Sequence, residues 1–188
     1  ICGNRLLWPC RGSPMTVLSA QTIRRRVAEN IEEPLLIEPF EPQSKQFKGM
    51  SYGLSVAGYD IRIGKIDRTA PGKSGRYSAE SVLVKPNDFI LLASLERIKL
   101  PRDIIAFVHD KSTLARKGLA LQNTVIEPGW EGYITLELSN HGPEHIRILV
   151  GQPIAQLVFH HLDRPTDRPY SGKYQNQPDR PVGPILED

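Results

Sequence analysis

The chain has 188 residues, a formal net charge of +3 and a hydrophobic fraction of 39%, values typical of one globular domain with a single core. The small positive excess, without any block of five or six like charges, argues against a nucleic-acid-binding surface. No apolar run approaches the ~18 residues that a membrane-spanning helix requires.

The first 14 residues, ICGNRLLWPCRGSP, are interpreted as a leader or extension outside a domain that begins at Met15. The longest apolar run among them is residues 6–8, shorter than the apolar region of about 7–15 residues in a secretory signal. Both cysteines, Cys2 and Cys10, lie in this segment, so the domain itself has none. No disulfide framework is predicted, and we expect a cytoplasmic protein.

One helix followed by short strands is the predicted architecture. The helix covers LSAQTIRRRV at 18–27, with its arginines spread around the surface. Apolar runs separated by Pro, Gly, Asn and Asp then have the composition of strands: VLVKP (82–86), DFILLASLERIKLP (88–101), IIAFVH (104–109), GYITLELSN (132–140) and IRILVGQPIAQLVFHHL (146–162). This pattern predicts a mainly β fold, a jelly-roll-like sandwich or distorted barrel. After residue 162 the sequence is polar and Pro-rich, so 15–162 is the predicted domain and 163–188 a tail, which by composition alone would be disordered.

Residues 69–75 contain Pro and Gly and are predicted to form a surface loop between strands. Gly72, Lys73 and Ser74 match the end of a P-loop, but Asp67 occupies the position where that motif requires its first Gly. The chain also has no GxGxxG motif. We therefore do not assign phosphate binding to this loop.

The segment DKSTLARKG at 110–118 is rich in hydroxyl groups and cations and is predicted to form a short helical turn. Ser112 or Thr113 is suited to the N-cap position, and the final Gly can end the turn in a left-handed conformation. Free N–H groups and hydroxyls of such a turn attract anionic oxygens, and Lys111 and Arg116 add positive charge suited to phosphate. The alternative is an ordinary capped turn with solvated cations.

The strand at 132–140 carries one carboxylate on its polar face. In YITLELSN the Ile and Leu side chains alternate with those of Thr, Glu and Ser, so one face is apolar and the other polar. If Leu136 lies in the core, Glu137 faces either water or a site. A solvated strand carboxylate is the commoner case, but the hydroxyl- and cation-rich turn just upstream favours a site.

This region, DKSTLARKGLALQNTVIEPGWEGYITLELSN, closely resembles the nucleotide-binding core of the dCTP deaminases, members of the trimeric dUTPase-like superfamily. Other stretches resemble family motifs in the family's order: LSAQTIRRRV (18–27), IEPF (37–40), SYGLSVAGYDIRIG (51–64), GQPIAQLVF (151–159) and RPYSGKYQNQ (168–177). The resemblance covers nearly everything from Met15 onward. It implies a dUTPase-like distorted jelly-roll or β-barrel with a short N-terminal helix and a C-terminal lid that orders over bound nucleotide.

The resemblance also implies a binding site for dCTP. The residues that match the family's nucleotide site are Lys111, Ser112, Thr113, Leu114, Ala115, Arg116, Glu127, Thr135, Leu136, Glu137, Gln156, Tyr170, Lys173 and Gln177. Residues 111–116 would hold the triphosphate and neighbouring groups, Glu127 would contact the deoxyribose, and the hairpin LQNTVIEPGW would shape the base pocket. Glu127 departs from the Asp of many relatives. The family resemblance further implies a homotrimer with sites at subunit interfaces, and Mg²⁺ carried by the triphosphate rather than held in a protein cage.

Zinc is not expected. Zinc-dependent cytidine and deoxycytidylate deaminases need an HxE motif followed by PCxxC, and this sequence has neither. His141 and His145 flank a Gly-Pro turn, whereas His160 and His161 are adjacent and would point to opposite faces of a strand. None of the four is predicted to bind a metal.

Deamination of cytosine without a metal requires water to add at C4, N3 to gain a proton and ammonia to leave. The water must lose its proton to a positioned base. We predict that Glu137 is this base, with a pKa raised by apolar surroundings. The resemblance places the catalytic Glu here, in the TLE triplet, and Ser112 and Arg116 would fix the water and stabilise developing charge.

Two rival functions remain at this point. A bifunctional enzyme could carry dCTP through to dUMP, since both enzyme types share the KST-like and LE motifs; a simple dUTPase is disfavoured, because the tail does not resemble its glycine-rich phosphate motif. The second rival is a non-catalytic nucleotide- or partner-binding protein on the same fold, because a fold alone does not prove activity.

Overall fold

The computed structural model describes residues 16–28, 32–66, 76–78 and 80–186. The predicted extension at 1–14 and the whole predicted loop at 69–75 lie outside these ranges. The elements of the described ranges are α1 (Ala20–Ala28), β1 (Leu36–Glu38), β2 (Lys45–Phe47), β3 (Met50–Ser55), β4 (Gly58–Arg62), β5 (Arg76–Tyr77), β6 (Ser81–Val84), β7 (Phe89–Lys99), β8 (Ile104–Asp110), α2 (Ser112–Ala115), β9 (Leu119–Leu121), β10 (Val125–Ile126), β11 (Glu131–Asn140), β12 (Ile146–Leu149) and β13 (Pro153–His161).

The described strands form antiparallel sheets. One sheet has the order β1-β7-β11-β9, a second β10-β8-β13-β4-β3-β2, and a third β12-β6-β5. Many neighbours in these sheets are distant in sequence, as when β13 lies between β8 and β4. The predicted mainly β architecture is therefore confirmed, and the sheets rather than the helices fix the position of the site.

The N-terminal helix α1 packs on the sheets through the fully buried Ile23, with the partly buried Ala20 and Val27 beside it. The hydroxyl of Ser19 accepts a hydrogen bond from Thr22 N at 3.4 Å, as an N-cap residue does. At the far end of the helix, Arg26 donates to Asp103 at 2.7 Å. The predicted helix at 18–27 is thus present, shifted by two residues at its start.

Strands β7 and β11 are the long central pair of the first sheet. Their register places Leu136 opposite Leu92, and both side chains are almost completely buried. The register shifts between Tyr133 and Thr135, where Ile134 N donates to the buried hydroxyl of Ser94 at 2.8 Å. The alternation predicted for β11 is confirmed: its apolar face packs in the core, whereas on its polar face Thr135 and Glu137 are half-buried and only Ser139 is buried.

Two local predictions are wrong. The N-cap of α2 is Lys111, with extended φ −78° and ψ 121°, rather than Ser112 or Thr113. The reason is that β8 continues to Asp110, so the Lys111 carbonyl already accepts from Leu114 N and Ala115 N. The apolar run predicted as one strand at 146–162 is two strands, β12 and β13, separated by a turn in which Gly151 has φ +76°.

Candidate functional site

A cavity of about 640 Å³ lies beside the polar face of β11. Its walls come from β7, β8, the segment before and within β10, β11 and the C-terminal tail. The lining residues are Phe89, Leu91, Val108, Asn123, Thr124, Val125, Ile126, Glu127, Trp130, Ile134, Thr135, Glu137, Tyr170, Tyr174, Gln177, Val182, Gly183 and Pro184. The cavity therefore combines an apolar wall with a few polar groups, the usual composition of a small-molecule site.

Glu137 projects into this cavity from the middle of β11. Its side chain is half-buried, and burial raises the pKa of its carboxyl above the ordinary value of 4.5. No described residue forms a hydrogen bond or ion pair with this carboxylate. A desolvated carboxylate without a fixed partner is ready to exchange a proton with a bound molecule, which distinguishes Glu137 from a solvated strand residue.

The tail packs over the same cavity and is attached to β11. The Thr135 hydroxyl donates to Gln177 Oε1 at 2.7 Å and accepts from Val182 N at 3.0 Å. Gly132 forms a parallel bridge with Gln177, and Tyr133 N donates to Gln177 O at 3.0 Å. Residues 166–186 thus form an ordered cover rather than the disordered tail that composition alone predicts.

Tyr170 and Tyr174 hold the first part of this cover. Tyr170 N donates to Pro128 O at 2.8 Å, and Trp130 Nε1 donates to Tyr174 O at 2.8 Å. Lys173 does not line the cavity: its ammonium donates to Ile185 O and lies 5.6 Å from the centre of the Tyr174 ring. Of the three tail residues assigned to the nucleotide, the structure therefore brings Tyr170 and Gln177 to Glu137.

Lys111 and Gln156 lie in a separate polar cluster around buried Asp60 on the second sheet. Lys111 Nζ donates to Asp60 Oδ2 at 2.6 Å and to Ser51 Oγ at 3.0 Å. Gln156 Nε2 donates to Asp60 Oδ1 and to Ser55 Oγ, each at 3.1 Å. Both candidate binding side chains therefore already have protein partners, and neither lines the cavity of Glu137.

The predicted phosphate-binding turn also lies away from the cavity. Ser112, Thr113, Ala115 and Arg116 are exposed, whereas Leu114 is buried in the core. Gly118 ends the turn with φ +87°, as predicted, and its N–H donates to Ala115 O at 2.9 Å. Within one chain, the structure thus does not bring the hydroxyls and cations of this turn to Glu137.

The remaining predicted site residues lie either in the cavity or in the core. Glu127 and Thr135 line the cavity together with Glu137. Leu136 is fully buried on the opposite face of β11, so its side chain belongs to the core. The predicted hairpin of the base pocket includes Asn123, but sequence reasoning did not single it out; its side chain contacts the backbone of Thr135 and Glu137. Its position between strands gave no sign of this contact, which depends on the pairing of β9 with β11.

Comparison with known proteins identifies the family of this chain. A family model described as dCTP deaminase-like matches residues 17–162. The chain belongs to this family. Among its relatives, the dCTP deaminase of Acidobacterium capsulatum is 33% identical over 180 residues, covering 87% of this chain and 96% of the relative. The dCTP deaminase of Pyrococcus horikoshii is 36% identical over 146 residues, covering 77% and 87%.

A solved structure shows the same fold. The 2'-deoxycytidine 5'-triphosphate deaminase of Agrobacterium tumefaciens matches with a TM-score of 0.57 at 19% identity, covering 80% of this chain and 49% of that chain. The resemblance stated from the motifs and the predicted dUTPase-like, mainly β fold class are confirmed. Along the described ranges, no helix has the length and apolarity needed to cross a bilayer.

Proposed function

We propose that this protein catalyses the hydrolytic deamination of dCTP to dUTP and ammonia, with Glu137 as the general base. The observation that carries the proposal is the half-buried Glu137 carboxylate, with a raised pKa, in the cavity of a chain that belongs to the dCTP deaminase-like family. Named dCTP deaminases at 33–36% identity over most of the chain support the choice of substrate.

The reaction needs one proton carrier. Glu137 takes a proton from water as the water oxygen bonds to C4 of the cytosine, and it returns this proton to N3. Glu137 then takes the proton of the C4 hydroxyl and gives it to the 4-amino group, so that the C4–N bond breaks, ammonia leaves and the C4 oxygen becomes the carbonyl of uracil. One carboxylate whose pKa is raised toward neutrality can both accept and return protons in these steps.

The cavity has the features to orient the nucleoside. The apolar wall that includes Leu91, Val108 and Ile126 suits the flat face of a pyrimidine. Glu127, at the rim, is the proposed acceptor for a deoxyribose hydroxyl. Tyr170 and Gln177 in the cover would contact the nucleotide from above, and Lys173 would join them by exchanging its contact with Ile185 O for a phosphate.

The remaining groups come, in this proposal, from a second copy of the chain in a homotrimer. Ser112 and Arg116 are exposed and outside the cavity of their own chain. Placed against the cavity of a neighbour, they would hold the attacking water and the developing charge, and the 111–116 turn would bind the triphosphate with its Mg²⁺. Lys111 and Gln156 would then act through their cluster with Asp60 at the same interface.

A complementation experiment tests this arrangement. Arg116→Ala and Glu137→Gln variants, each inactive alone, are co-refolded at equal amounts. If the two residues of one site come from different chains, a random mixture regains about a quarter of the wild-type activity. The reason is that half of the chains supply an intact Glu137 and half supply an intact Arg116, so one site in four has both. If both residues act within one chain, no activity returns and the interface model is wrong.

Product analysis tests the reaction itself. Purified protein is incubated with dCTP and Mg²⁺, and the nucleotides are separated by anion-exchange chromatography. Formation of dUTP with an equal amount of ammonia supports the proposal. Direct formation of dUMP and pyrophosphate would make the enzyme bifunctional, and binding of dCTP without turnover would leave a non-catalytic nucleotide-binding protein.

A further inference from the structure

The side chain of Asn123 connects the loop before β10 to the strand that carries Glu137. Its Nδ2 donates to Thr135 O at 2.7 Å, and its Oδ1 accepts from Glu137 N at 3.1 Å. The two contacts hold the backbone of β11 on both sides of Leu136. A side-chain amide thus takes the place of a peptide group from a neighbouring strand.

The pairing of β9 with β11 explains why this contact is needed. The ladder between them ends at the pair of Leu121 and Leu138, after which Gln122 N still donates to Glu137 O at 2.9 Å. Beyond that point the chain turns away toward β10. A primary amide offers an acceptor and two donors, so Asn123 can satisfy one N–H and one C=O together, which Ala or an ionised Asp at this position cannot do.

Asn123 also belongs to the wall of the cavity. It is half-buried and lines the cavity with Glu137 and Thr135, next to Thr124 and Val125 of the same loop. The Asn123 side chain therefore both holds the backbone of the strand that carries Glu137 and forms part of the cavity wall near the Glu137 carboxylate. A displacement of about 1 Å at a reacting group can cost about a hundredfold in rate.

We propose that Asn123 is a positioning residue, which places the Glu137 carboxylate in the cavity by fixing the backbone of β11 at Thr135 and Glu137. The inference rests on the proposed function only in taking Glu137 as the base. The effect of Asn123 on the position of Glu137 follows from the hydrogen bonds of its side chain to Thr135 O and Glu137 N. It can be measured without an activity assay.

Asn140 provides a matched control at the other end of the same strand. It is fully buried, and its Nδ2 donates to Val84 O at 3.1 Å and to Glu144 O at 2.8 Å. Its loss removes three side-chain-to-backbone hydrogen bonds, because its Oδ1 also accepts from Gly142 N at 3.0 Å, whereas the loss of Asn123 removes two; Asn140 does not line the cavity. A merely structural asparagine should therefore behave as Asn140→Ala does, with a lower melting temperature and an unchanged site.

The first measurement is by NMR on the folded protein, comparing wild type, Asn123→Ala, Asn123→Asp and Asn140→Ala. In Asn123→Ala the amide of Glu137 loses its acceptor, so its hydrogen exchange should accelerate about five- to tenfold. The titration of the Glu137 carboxyl carbon should shift down in Asn123→Ala, as water enters, and up in Asn123→Asp, from the added negative charge. The other titratable groups that line the cavity, Glu127, Tyr170 and Tyr174, are common to all four proteins.

The second measurement is the steady-state kinetics of dCTP deamination, well below the melting temperature of each variant. For Asn123→Ala we expect kcat to fall about ten- to a hundredfold, with KM changed less than about threefold, because the base rather than the ground-state binding is displaced. Asn140→Ala should keep the wild-type kcat. If Asn123→Ala does not fold, the isosteric Asn123→Asp carries the same test.

Unchanged amide exchange and unchanged titration of Glu137 in both Asn123 variants would overturn the positioning role, as would a wild-type kcat. If wild type itself does not deaminate dCTP, the proposed function fails, while the exchange and titration data still decide whether Asn123 positions Glu137.

Discussion

Gly132 is the point on β11 where the tail comes closest, and Gly132→Ala is expected to release the tail without touching Glu137. Gly132 has φ +147°, and a Cβ at this position would lie 2.6 Å from Gln177 N, 3.1 Å from Gln177 O and 3.2 Å from Gln177 Cα. All three atoms are backbone atoms, so they cannot move aside as a flexible side chain can. The tail must leave the strand.

The cost follows from the contacts around the bridge. Displacing Gln177 breaks the hydrogen bonds from Tyr133 N to Gln177 O and from Asn176 N to Glu131 O, and it threatens the contact of Thr135 with Gln177 Oε1. At about 1 kcal/mol for each net hydrogen bond, the attached state of the tail loses about 2–3 kcal/mol, or about 30- to 140-fold in population. The undocked tail should also raise KM for dCTP, because Tyr170 and Gln177 are cover residues of the proposed site.

Limited trypsin digestion measures the release directly. In the tail after residue 162, Arg164, Arg168 and Arg180 are each followed by Pro, so Lys173 is the only efficient site. Cleavage at Lys173 should accelerate by the same factor of about 30–140 when opening is rapid compared with cleavage. The control is Gly49→Ala, which has φ +80° and nothing within 4 Å of the added Cβ, so it carries backbone strain without the collision. Equal cleavage rates in wild type and Gly132→Ala would refute the reasoning.

Two further predictions concern buried charge. Glu96 is fully buried and accepts from Arg62 N at 2.8 Å and Arg62 Nε at 2.7 Å, so Arg62→Met should destabilise the protein by about 3–5 kcal/mol at pH 8. Burial already raises the pKa of Glu96, and loss of Arg62 raises it further. The destabilisation should therefore be smaller at pH 5, where Glu96 is closer to protonation. An equal loss of unfolding free energy at pH 5 and pH 8, measured by urea denaturation, would contradict this. Lys65→Met, which removes an exposed ion pair with Asp179, should leave the urea midpoint almost unchanged and serves as the control. The raised pKa of Glu137 predicts that kcat falls at low pH, because the protonated carboxyl cannot act as a base, with a midpoint above 4.5. The measurement is kcat from pH 4 to 8, and a flat profile across this range would argue against a carboxylate base.

The local pattern of residues predicted the strand that carries Glu137. Alternation alone placed Leu136 in the core and Glu137 on the other face, because a strand repeats every two residues and the core accepts only one face. The left-handed Gly118 followed in the same way from local backbone chemistry. The family and the fold class came from the order of several motifs rather than from any one of them.

Contacts between distant segments could not be predicted in this way. The ordered tail depends on Gly132 accepting a backbone neighbour from 45 positions downstream, as the bridge from Gly132 to Gln177 shows. The ion pair of Lys111 with Asp60 depends on the approach of β4 to the end of β8 through β13. The role of Asn123 depends on where the β9–β11 ladder stops. Each of these contacts depends on how strands distant in sequence pair with one another, and the pattern of residues in a single sequence does not show that pairing.

The most direct test of the central claim is the rate of dUTP formation from dCTP by wild type, Glu137→Gln and Glu131→Gln. Glu131 is a carboxylate on the same strand that pairs with Arg97 and does not line the cavity. Because ionisation of desolvated Glu137 costs stability above its unfolded pKa, Glu137→Gln should unfold at the same urea concentration as wild type or a higher one. The account predicts that the folded Glu137→Gln variant forms dUTP at least about a hundredfold more slowly, while Glu131→Gln stays within about threefold of wild type. A folded Glu137→Gln variant with wild-type turnover would contradict it.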